Sequence, residues 1–227
     1  MFIVAVGISV WLTTGGQSKG ALTHRAVHPR GLAHAVSTTT VASTITTTTT
    51  DPGSLPQTDA FPSSDSMQFQ SEMSALWEAV VTNSAAIALP AFFPEQAYEQ
   101  LKTVYDAEAD YEDRLVHDYT LDITAAHDVL GASPSSAVLV GVDVPTDAGH
   151  WIPPGVCDNR AGYFEVANSR IVYQQGGVTH SFGIASLISW RGVWYVVHLG
   201  AILRSRDAGV VEDPELGAGY SAPSSTC

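Results

Sequence analysis

Basic side chains are scarce in this chain: 10 Lys and Arg stand against 23 Asp and Glu, for a net charge of −13. A surface that binds phosphate needs a concentrated basic face, so nucleic acid and anionic membranes are excluded as main partners. Cysteine is scarcer still, with Cys157 and Cys227 alone, and no zinc-type Cys/His set is present. A nucleophile elbow, a phosphate-binding loop and a dinucleotide fingerprint are likewise absent, so no cofactor is expected. What is present is apolar: 45% of the 227 residues are hydrophobic, enough for a real core and too many for wholesale disorder. That length suits one domain with extensions.

Charge divides the chain in two. Residues 1–50 hold Lys19, Arg25 and Arg30 and no acid, which leaves seven basic and 23 acidic residues, a net −16, for 51–227. The chain opens with an apolar run from Met1 to Leu12. It is as long as a signal-peptide core and short for the ~20 residues that span a bilayer. Residues 1–16 are therefore read as a signal or a membrane anchor, and the rest as exported. Residues 17–65, with the Thr/Ser run of 37–50, lack core-forming side chains and read as a disordered tether, bare or O-glycosylated. Residues 207–227 read as a flexible tail.

Between them, 66–206 carries the periodicity of an α+β domain. Behind Ser66, a capping residue, Phe69, Met73, Leu76, Trp77 and Val80 recur at helical spacing. Pro94 opens a second stripe through Ala97, Tyr98, Leu101 and Tyr105, and Tyr111, Leu115, Tyr119, Ile123, Ala126 and Leu130 make a third, ending at Gly131. The period then changes to two: Val138–Val144, 162–166, 170–175, 178–190 and 193–203 read as strands. Asn168-Ser169, Gly176-Gly177 and Arg191-Gly192 read as two-residue hairpin loops. The result is N-terminal helices packed on a curved antiparallel sheet of four to five strands. A hairpin closed on Arg191-Gly192 pairs residues whose numbers sum to 383, which sets His198 opposite Ala185.

Three segments carry a resemblance: Phe92–Tyr98, Pro154–Tyr163, and above all Ser181–Ser186 with Ser189–Gly200 (SWRGVWYVVHLG). Over about 90–204 the chain resembles a family of exported actinobacterial proteins to which no activity is attached. The order of helices followed by a Trp-rich meander is also similar to the nuclear-transport-factor-2-like (NTF2-like) cone fold, which hosts enzymes and plain binding modules alike.

Several residues are candidates for chemistry. His198, mid-strand between Val197 and Leu199, is expected to be buried and hydrogen-bonded, either as a core histidine or paired with a helix carboxylate such as Asp122 as an acid/base site. Cys157, in a long loop beside His150, is a nucleophile, an unpaired thiol or the disulfide partner of Cys227. Trp151, Trp194 and His180 are candidate binding residues. Asp113/His117 and Asp118/Asp122 share helix faces at i, i+4, but two ligands make no metal site and a solvated acidic face is the reading kept. Two functions follow: an extracytoplasmic module, secreted or tethered to the membrane only through its N-terminal segment, that binds a small apolar ligand or an envelope protein, or a cofactor-free NTF2-like enzyme using His198.

Overall fold

The computed structural model describes residues 51–220. The signal or anchor segment, most of the tether and Cys227 lie outside the described residues. No helix among the described residues is long and apolar enough to cross a membrane.

The helices form where the apolar spacing puts them. Helix α1 (Met67–Thr82) starts at Ser66, whose hydroxyl accepts the Phe69 amide at 3.2 Å, and ends at Asn83 in the left-handed conformation. A single turn, α2 (Ala85–Ala88), follows. Helix α3 (Glu95–Leu101) begins behind Pro94. The third apolar stripe is not one uniform helix: α4 (Ala107–Asp110) passes into a π-helical segment, Tyr111–Val116, and then into α5 (His117–Val129).

Six strands form one antiparallel sheet: β1 (Val138–Asp143), β2 (His150–Ile152), β3 (Tyr163–Gln175), β4 (Val178–Trp190), β5 (Val193–His198) and β6 (Glu212–Leu216). The long β3–β4 hairpin turns at Gly176-Gly177, both at positive φ as a tight hairpin requires. The free edge of β3 is covered by β1 and β2, and that of β4 by β5 and β6. Helices cover the face bearing Tyr173, Trp190 and Tyr195, through Trp77 on Tyr173 and Phe93 edge-on to Trp190 and Tyr195.

The α+β class and the helix-then-sheet order stand, with six strands in place of four or five. Four details differ from expectation. Asn168-Ser169 is no turn: Asn168 takes a positive φ of 54° inside β3, and register is unbroken on both sides. The stretch 51–65 is part of the domain, not tether. Gln57 bonds Ser189 O and the Arg191 amide, and Trp190 Nε1 donates to Pro52 O, so this strap lies over the β4–β5 hairpin. Its Phe61 packs edge-on against Phe164 and Trp194. The stretch 207–216 is also structured, because β6 pairs with β4.

The fourth difference bears on the site. Leu187–Val196 through Trp190–Val193 pair as the sum of 383 demands, but His198 pairs with Ser186. One residue, Val197, is extra, and this β-bulge moves His198 to the helix-covered face.

Candidate functional site

The bulge brings His198 into a hollow of about 90 Å³ between the sheet and α3 with the π-helical segment. Tyr98 and Lys102 reach it from the α3 side, and Tyr163, Glu165 and Ser186 from the sheet. Ser186 Oγ donates to Glu165 Oε1 at 3.1 Å, while Glu165 Oε2 is buried with no hydrogen-bond partner among the described residues and has His150 Nε2 3.9 Å away. Lys102 Nζ donates to Cys157 O at 3.0 Å. Burial holds the Lys102 ammonium below its ordinary range, with Asp158 opposing.

His198 is not the hydrogen-bonded core histidine expected. Among the described residues no group bonds its ring, which is only partly exposed. Burial, helped by the nearby positive charges of Arg114 and Arg204, pulls its pKa down to about 4, so the imidazole is neutral at pH 7. A neutral imidazole beside the Glu165 carboxyl and the Lys102 side chain places three titratable groups around one hollow, although a ring held at about 4 is a weak base at neutral pH. The space is suited only to a few waters.

Asp122 does not join His198. It is 1% exposed, accepts the Gly200 and Val210 amides at 2.8 and 2.9 Å, and pairs with Arg204. Those bonds hold its carboxylate as a clamp between α5 and the chain beyond β5, although burial still raises its pKa. Gly200 is required there, since a Cβ would lie 2.2 Å from Val210 O. Cys157 is disulfide-bonded and offers no thiolate. Trp151 and Trp194 meet only through Phe164 and Phe61, in an aromatic cluster on the sheet's outer face. Trp194 is fully buried there and presents no binding surface. His180 stacks on Tyr173 at the far end of β4. Among the described residues no group of three His, Cys, Asp or Glu side chains is placed to hold a metal.

A second cavity is announced by no motif in the sequence. A groove of about 530 Å³ runs between α1, the 89–95 segment and the π-helical segment, lined by Leu89, Phe92, Tyr111, Val116 and Tyr195 with Gln68 and Glu72. Burial raises Glu72 to about 7. These residues come from four separate stretches, each of which reads alone as ordinary amphipathic helix or strand. No protein-family model, curated protein or solved structure matches the chain.

Proposed function

We propose that this is an extracytoplasmic binding module whose ligand, a small molecule with an apolar body, sits in the groove beside α1. The observation that carries the reading is size against lining. The groove, at about 530 Å³, lies within the range of small-molecule sites and is walled mainly by aliphatic and aromatic side chains. The His198 hollow, at about 90 Å³ and ringed by polar groups, is too small for such a ligand. Export is supported by the apolar run at the N-terminus and by the disulfide at Cys157, a bond that persists in oxidising compartments. Membership of the exported actinobacterial family and the NTF2-like cone belong to the same proposal, supported by the shared motifs and the order of elements.

Binding is tested with N-phenyl-1-naphthylamine, a neutral apolar dye that brightens in dry sites. One saturable site is expected. It should be lost in Leu89→Trp, which fills the groove from a half-exposed position. Absence of saturable binding, or binding unchanged in that variant, refutes the reading. Export is tested by fusing a reporter active only outside the cytoplasm after residue 220.

The rival, a cofactor-free enzyme, is favoured by the unbonded ring of His198 beside the unpartnered Glu165 Oε2. It requires the hollow to open into the neighbouring groove of about 520 Å³, with which it shares Arg114 and Ile202. Diethyl pyrocarbonate reports this directly. Fast carbethoxylation of His198 supports an open site, and protection of the ring eliminates the enzyme.

A further inference from the structure

The α1 groove is apolar along most of its lining and acidic at its floor. Glu72 is 6% exposed; its Oε1 accepts Gln68 Nε2 at 3.0 Å, and its Oε2 is buried without a hydrogen-bond partner among the described residues. The same Gln68 amide also donates to Tyr195 Oη, so it is shared between two acceptors. A buried carboxylate oxygen left bare is costly, and a donor arriving with a ligand relieves that cost. Among the described residues no basic side chain lines the groove. Glu95 and Glu112 stand on its walls, and Phe92, Tyr111 and Tyr195 add aromatic lining. An anionic head is repelled by Glu95 and Glu112, and by Glu72 once it ionises, while a neutral one gives an ionised Glu72 no counter-charge. An ammonium meets both the carboxylates and the rings.

We infer that the groove recognises a small amphiphilic amine, with Glu72 as counter-ion to the ammonium and the apolar walls holding the hydrocarbon body. This rests on the groove being the ligand site and names the ligand's chemical class. Of the titratable groups around Glu72, Tyr195 from β5, Tyr119 from α5 and Tyr111 from the π-helical segment are all pushed above their ordinary range by burial and stay protonated at neutral pH. Glu95 from α3 is partly exposed and Glu112 exposed. Glu72, raised to about 7, is the group that responds near neutrality. An ammonium binds its ionised form, so affinity follows the ionised fraction and rises about tenfold from pH 6 to pH 8.

Calorimetric titration of the protein with n-octylammonium, 1-octanol and octanoate separates the possibilities. The amine is expected to bind at least tenfold more tightly than the alcohol, with no binding of the carboxylate. Glu72→Gln should reduce the amine to the level of the alcohol and abolish the rise between pH 6 and pH 8. Equal affinity for amine and alcohol in the unmodified protein overturns the inference and leaves the groove standing as an apolar site; so does an unaltered pH rise in Glu72→Gln. Failure of all three compounds to bind overturns the groove and the inference together. The ligand series and the pH rise are read in the unmodified protein, so they test the inference even where the variant misfolds.

Discussion

Glu72, buried, and His198, partly buried, are both shifted toward their neutral forms, and their effects on stability oppose one another. Folding raises Glu72 from 4.5 to about 7, so the folded state holds a proton that the unfolded chain loses in that window. Its contribution is fully present at low pH and is lost as pH rises through 7. Folding lowers His198 from 6.5 to about 4, so in that window the unfolded chain binds the extra proton. Its contribution is present above pH 6.5 and is lost as pH falls toward 4. The Glu72 shift corresponds to about 3 kcal/mol, and the His198 shift, trimmed because its ring is partly solvated, to about 2 kcal/mol. Their slopes oppose one another between about pH 4.5 and pH 6.5, leaving a net loss of about 1 kcal/mol from pH 4.5 to pH 7.5. Glu72→Gln removes one side of the balance. Relative to the unmodified protein it should be stabilised by about 3 kcal/mol at pH 7.5 and near neutral in effect at pH 4.5, a melting difference of roughly 6–12 °C at the upper end. His198→Gln should show the reverse trend, with its stabilisation confined to low pH. Urea midpoints of the three proteins, compared at each pH, cancel the contributions of all other carboxylates. A Glu72→Gln difference that does not change with pH refutes the assignment of a buried, neutral Glu72.

Asp122→Asn should cost about 1–3 kcal/mol, because Arg204 keeps only its more exposed partner, Asp118, while leaving dye binding at the α1 groove intact; chemical denaturation and the dye assay check the two halves. Gly200→Ala should destabilise comparably, since the added methyl meets the Val210 carbonyl and the Asp122 carboxylate; a melting temperature equal to that of the unmodified protein contradicts the clamp. Phe61→Ala should cost about 1–2 kcal/mol through its two edge-on ring contacts and shift tryptophan emission to the red as Trp194 gains water. Unchanged emission places the strap elsewhere.

Where local chemistry decides structure, these residues were readable in order along the chain. Ser66 capping α1, the apolar stripes of the helices, and the tight turns at Gly176-Gly177 and Arg191-Gly192 each depend on neighbours a few positions away. The turn at Arg191-Gly192 even carries the correct register for four pairs beyond it. Asn168 misled because a residue tolerant of positive φ is as much at home inside a long strand as in a turn.

The rest was decided by contacts distant in sequence. Glu212–Leu216, with Pro214 in it, has little strand character of its own and is a strand because the open edge of β4 hydrogen-bonds it. The 51–65 strap is ordered by Ser189, Arg191 and Trp194, which lie far along the chain in the β4–β5 hairpin. The extra residue at Val197 turns His198 toward Glu165 and away from the face that strict alternation assigns it, and no periodicity announces a single bulge. In the sequence Glu72 is one more charge on an amphipathic helix. Only the packing of the 89–95 segment, the π-helical segment and β5 around it makes it a buried carboxylate at the floor of a groove, because burial is a property of the assembled surfaces and not of any one stretch of chain.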